Sequence, residues 1–185
     1  WEQNDPENPS SNSAPPPTRT QGPMFRSFKG TSSPDRYMPR VADVVAGNLT
    51  PTWEVVPSVS RNMEFALTVR DNTAGGGQTA DDLMNVTVNA SAGPFVVNSP
   101  NTNVTWNVGG AQTVTWDVAN TSSSPVSCSN VNILLSTDGG YNYPITVAAN
   151  TANDGSQVIT VPNNLSTTCR IKVEAADNIF YDISN

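Results

Sequence analysis

Residues 130–147, NVNILLSTDGGYNYPITV, decide the fold class because apolar and polar residues alternate on both sides of a turn. Val131, Ile133 and Leu135 share one phase against Asn132 and Ser136, Asp138-Gly139-Gly140 supplies the reversal, and Ile145 and Val147 resume the alternation. A period of two puts successive side chains on opposite faces of a strand, so this stretch reads as a β-hairpin with one wet face.

Around it lie further short strands separated by turn residues: 95–98, 104–107, 113–118, 157–161 and 170–175. With the two arms of the hairpin they make seven, the pattern of a two-sheet sandwich. A second hairpin organises the first half. Phe65, Leu67 and Val69 alternate with Ala66, Thr68 and Arg70, Met84, Val86 and Val88 repeat the pattern, and Gly75 to Gly77 lie between. Residues 23–28 and 52–56 read as short strands, and Tyr37, Val41, Val44 and Val45 as one helical turn ending at Gly47. Residues 4–20 hold Pro6, Pro9 and Pro15 to Pro17, which donate no ladder hydrogen bonds, so this is a long exposed loop. The expected architecture is all-β: two tandem antiparallel immunoglobulin-like β-sandwich domains, 1–93 and 94–185. The first is truncated on its N-terminal side, and the boundary falls at Ala92-Gly93-Pro94.

Lys+Arg number 9 against Asp+Glu 16, a net charge of -7, so the chain's field repels phosphate backbones and anionic membrane surfaces. No apolar run approaches the roughly 20 residues that span a bilayer, and neither nucleic-acid binding nor membrane insertion is expected. There is no histidine, which removes the commonest general base and the commonest zinc ligand. Asp81 and Asp82 are adjacent, so on a strand they point to opposite faces and cannot flank one glycosidic bond. No catalytic residue is assigned.

Three groups remain as candidate sites. Cys128 and Cys169 would close a loop of about 40 residues if bridged, worth about 4 kcal/mol in the chain-entropy account. Cys169 shares the inward phase of Ile171 and Val173. Cys128 is out of phase with Val131 unless a bulge intervenes, so two free thiols stand as the alternative. Asp71, Asp81 and Asp82 gather hard oxygens around the glycine-rich loop, a chemistry that suits Ca²⁺, although calcium-loop spacing is lacking and acidic residues at hairpin ends are commonly turn formers. Tyr141 and Tyr143 flank a hairpin tip, where they either stack on a sugar ring or cover core. N-x-S/T sequons at Asn48, Asn85, Asn89, Asn103, Asn120 and Asn164 would accept glycans in a eukaryotic secretory host.

The stretch EFALTVRDNTAGGGQTADDLMNVTVNAS resembles the last hairpin of polycystic-kidney-disease-type and cadherin-like domains. STDGGYNY resembles the Asp-box turn of bacterial sialidases, in which the aspartate bonds the turn's amides, so Asp138 is given a structural role. TQGPMFRSF, RYMPRVADVVAGNLTPTWEVVPSVSRNMEFALTVRDN, GPFVVNSPN, QTVTWDVANT, CSNVNILLSTDGG, ANTANDGSQVITVPN and RIKVEAADNIFYDIS, taken in order, are similar to the non-catalytic region of large secreted reprolysin-like zinc metalloproteases of Bacteroidetes. That region combines a polycystic-kidney-disease/cadherin-like module with an immunoglobulin/fibronectin type III-like one. The family's H-E-x-x-H-x-x-G-x-x-H signature has no counterpart here. The resemblance implies a secreted or cell-surface accessory part that spaces, stabilises or binds substrate. Its partners would be the parent protease's catalytic domain and an extracellular protein or polysaccharide. A cell-surface adhesin or carbohydrate-binding structural module is the alternative.

Overall fold

The computed structural model describes residues 1–6 and 14–185; the part of the expected proline-rich loop at 7–13, Pro9 included, lies outside the described residues. The chain is almost entirely β, and it divides into two compact units, Trp1–Asp43 with Asn48–Ala90, and Val44–Gly47 with Ser91–Asn185.

In the first unit β1 (Glu2–Gln3), β2 (Arg61–Arg70) and β3 (Thr79–Val88) form an antiparallel sheet in the order β1-β2-β3. Register runs from Arg61↔Val88 to Arg70↔Thr79, which is the second hairpin expected from the alternation. Met63 and Phe65 are buried together with Met24, Phe25 and Val55, the rings of Phe25 and Phe65 lying 6.2 Å apart. Burial then fades along the ladder, and Val69 and Leu83 are 58% and 67% exposed. Ten residues of strand reach about 33 Å, beyond the chain that covers the sheet's inner end.

That covering layer is irregular chain. The strands expected at 23–28 and 52–56 reduce to one bridge, Phe25↔Glu54. Pro23, Pro51 and Pro57 remove ladder donors, and Trp53 at φ +61° turns the chain out of extended conformation. Side chains replace the missing ladder. The Gln3 side-chain oxygen accepts from Met24 N and Phe25 N at 2.7 and 2.8 Å. Buried Arg61 donates to Arg19 O and Gly22 O and pairs with Asp5 at 3.3 Å. Pro15, expected to be exposed, is buried. Helix α1 (Val41–Val45) is a single turn that stops at Gly47, φ +71°.

The second unit is a two-sheet sandwich. One sheet has the order β10-β9-β6-β7, with β6 (Asn130–Ser136), β7 (Ile145–Ala152), β9 (Arg170–Ala175) and β10 (Tyr181–Ile183). The other is β4-β5-β8, with β4 (Val96–Ser99), β5 (Ala111–Asp117) and β8 (Ser156–Thr160). The core between them takes Val97, Val114, Trp116 and Ile159 from the shorter sheet and Val131, Ile133, Leu135, Ile171 and Val173 from the other, the period-two sets read from the sequence. Two assignments differ. Residues 104–107 form no strand: Val104 is 52% exposed, and of this stretch Trp106 alone packs against the core. The seventh strand is β10, which pairs with β9 through Tyr181↔Glu174 and Ile183↔Lys172. Asp182 on β10 accepts from Val97 N at 2.7 Å, tying one sheet to the other.

Candidate functional site

The turn after β6 is built from its own polar atoms. Buried Ser136 donates its hydroxyl to Asp138 Oδ1 at 2.7 Å and accepts from Gly140 N at 2.9 Å. Asp138 also accepts from Tyr141 N, Asn142 N and Asn142 Nδ2 at 3.1, 3.0 and 2.6 Å. Gly139 and Gly140 adopt φ of +87° and +99°, and a Cβ on Gly140 would meet Arg170 Cδ at 2.8 Å. Thr137 O accepts from the hydroxyls of Ser166 and Thr168, and Gly139 N donates to Thr168 O at 2.9 Å. All four of these Asp138 contacts brace the turn.

These donors, Ser136 Oγ foremost and then Asn142, hold the Asp138 carboxyl well below the usual carboxylate range. A carboxyl whose folded pKa is depressed adds stability that is complete above its unfolded value and is lost as pH falls toward the folded one. Asp138→Asn, lacking the charge, is therefore expected to melt below the parent at pH 6. The gap should close as both proteins are acidified below about pH 4, as read by thermal melts across pH.

The tyrosines beside this turn separate. Tyr141 is 57% exposed, its ring edge over Gly139. Tyr143 is half-buried and stacks over Lys172 Nζ at 4.8 Å; that ammonium is itself paired with Glu174 at 2.7 Å. Tyr143 thus packs against Lys172 of β9, while Tyr141 stays open to solvent.

The disulfide is corrected. Both cysteines are free, Cys128 buried and Cys169 exposed. Each precedes a strand, β6 and β9, and these two pair antiparallel, from Val131↔Ala175 to Ser136↔Arg170. The cysteines thus sit at opposite ends of one ladder, roughly 20 Å apart at strand rise, against the roughly 7 Å between Cα atoms that a bridge tolerates. Cys128 contacts Asn130 O through Sγ at 3.2 Å, and burial pushes its thiol pKa up. Titration with an aromatic disulfide should show one fast thiol, Cys169, and a second only on unfolding. No titratable thiol after full denaturation, together with a mass that rises on reduction, would contradict this.

The acidic set of the first unit is also not assembled. Asp71 Oδ1 accepts from Thr73 N and Gln78 N, both at 3.0 Å, and these bonds lower its pKa. Asp81 and Asp82 pair with Thr68 and Leu67 on opposite faces of the hairpin, and Asp82 Oδ1 accepts from Leu83 N at 2.9 Å. Among the described residues no three His, Cys, Asp or Glu side chains stand close enough to hold a metal ion, and no helix is long and apolar enough to cross a membrane.

The cluster that the sequence reading missed lies in the first unit. Arg26, Arg36 and Arg40 place guanidinium carbons 5.4, 4.9 and 5.3 Å from the centre of the Phe28 ring. Glu54, 1% exposed, accepts from Arg36 at 2.6 Å and from Arg40 N at 3.1 Å. Beside them opens a cleft of about 300 Å³ whose walls include Trp1, Phe28, Lys29, Arg36, Tyr37 and Arg40. Its signal was in the composition: Arg26, Lys29, Arg36 and Arg40 are four of the chain's nine basic residues, all between positions 26 and 40.

No protein family, curated protein or solved structure matches the chain.

Proposed function

We propose that the chain is the non-catalytic accessory region of a secreted bacterial zinc metalloprotease, in which the two β units space, stabilise or attach a catalytic domain carried elsewhere on the polypeptide. The ordered run of segments similar to that protease family supports the reading. The observation that carries it is the Asp138 turn, which resembles a known exo-protein element and whose carboxylate accepts four hydrogen bonds from its own loop. With no imidazole in the sequence to activate a nucleophile or bind zinc, hydrolysis in this reading belongs to another domain.

The test has two parts. The purified chain, assayed on casein and on aryl glycosides, is expected to turn over neither, and robust turnover of either ends the accessory reading. The reading frame ahead of Trp1 is expected to encode an H-E-x-x-H helix; tandem sandwich modules with a surface anchor in its place would make the chain part of an adhesin.

A further inference from the structure

We infer that the cleft between Phe28, Tyr37 and Arg40 binds a carboxylate-bearing sugar, a uronic acid unit of an acidic polysaccharide. This rests on the accessory reading and gives it a substrate class.

Cations and aromatic rings meet in this cleft. Arg40 spends its Nε on Asp43 at 3.0 Å, while its terminal amino groups carry no hydrogen bond among the described residues, and half of its side chain, 52%, stays exposed. Lys29, also on the wall, has no ion pair among the described residues. Arg36 is consumed differently: it donates to Trp1 O, Arg26 O and Glu54, yet its buried Nε has no partner. Four basic side chains, Arg26, Lys29, Arg36 and Arg40, gather here with three carboxylates, Asp35, Asp43 and Glu54, which leaves one positive charge in excess. Phe28 and Tyr37 each remain 39% exposed beside it.

Each feature narrows the ligand. A planar guanidinium with free terminal N–H groups matches a carboxylate's two oxygens. The Phe28 ring already carries three guanidinium groups, so the 39% exposed Tyr37 is the ring that offers an apolar face to the C–H side of a pyranose. A neutral sugar would leave Lys29 without a counter-charge, and a run of acidic residues would bring no flat C–H face to Tyr37. At about 300 Å³ the cleft lies at the small end of ligand pockets, which suits one sugar unit of a longer polymer passing across it. The rest of the chain is net negative, at -7, and repels polyanions, so retention of an acidic polymer requires a local site.

The experiment is affinity electrophoresis of the whole chain through gels containing polygalacturonate. Retardation is expected, together with its loss when the polymer is fully methyl-esterified, which removes the carboxylate charge but keeps the sugar. Lys29→Gln combined with Arg40→Gln should weaken retention at least about tenfold, the scale of a lost charge-assisted hydrogen bond. Tyr37→Ala should weaken it without changing its salt dependence. Circular dichroism confirms that the variants fold, and the exposed Lys29→Gln alone, expected to give a smaller loss, carries the test if the double variant does not. No retardation, equal retardation of the variants, or equal retardation by poly-glutamate overturns the assignment. A chain that ignores polygalacturonate and also cleaves nothing sinks the sugar site while leaving the non-catalytic reading in place.

Discussion

Glu54→Ala is expected to remove about 3–5 kcal/mol from the first unit, the cost of leaving one partner of a buried ion pair alone. Glu54 is 1% exposed, and the Arg36 side chain opposite it is 11% exposed. The carboxylate accepts Arg36 at 2.6 Å through one oxygen and Arg40 N at 3.1 Å through the other. It therefore neutralises a guanidinium that also holds the chain start through Trp1 O and the 26–28 segment through Arg26 O. Alanine abandons a buried cation and an amide donor together. Glu54→Gln keeps one carbonyl oxygen for one of the two donors and turns an NH2 group toward the other, so it should recover only part of the alanine penalty. Such a loss lowers the melting temperature of a unit this size by about 12 °C or more. Two-probe melts separate the units: Trp1 and Trp53 report the first, Trp106 and Trp116 the second. Only the first transition should move. A shift worth less than about 1 kcal/mol would mean that the pair behaves as a solvated surface bridge.

The sandwich was legible because its strands bury one face. Val131, Ile133 and Leu135 on β6, Val114 and Trp116 on β5, and Ile171 and Val173 on β9 all take the buried phase that alternation assigned them. The hairpin of β2 and β3 was legible in register but less so in burial. Period two states which side chains share a face, and it cannot state whether anything covers that face. Residues 104–107 failed for the same reason, a plausible alternation with no neighbouring strand to pair, while the short FYDIS segment became β10 because β9 offers it an edge. The cysteines show a deeper limit. Their strand positions were read correctly, but that β6 and β9 lie side by side and antiparallel is a topological fact with no local signature. The arginine cluster left only a local excess of basic residues between positions 26 and 40, and its assembly depends on Glu54 arriving from a distant segment. Local rules capture what neighbours along the chain enforce; sites assembled by tertiary contact need the coordinates.

Asn153→Ala is expected to cost the second unit about 3 kcal/mol or more. Asn153 is 5% exposed. Its Oδ1 accepts from Trp116 Nε1 at 2.9 Å, and its Nδ2 donates to Thr121 Oγ1 and to Cys128 O, each at 3.0 Å. One amide thus joins β5, the 118–121 turn and the chain entering β6, at the point where the polypeptide passes from β7 in one sheet to β8 in the other. Truncation leaves the indole N–H and the Cys128 carbonyl buried without partners, at about 1–3 kcal/mol each, and Thr121 Oγ1 keeps its bond to Val118 O at 2.6 Å. Asn153→Asp separates the contributions, since it preserves an acceptor for Trp116 but loses both donors and buries a charge; it should be at least as damaging at neutral pH and recover partly in acid. A double-mutant cycle with Trp116→Phe, followed by urea unfolding, should give a coupling of about 0.5–3 kcal/mol, because removing the indole N–H also removes the penalty of orphaning it. Additivity within about 0.5 kcal/mol would mean that the amide holds only the turn and does not couple to Trp116.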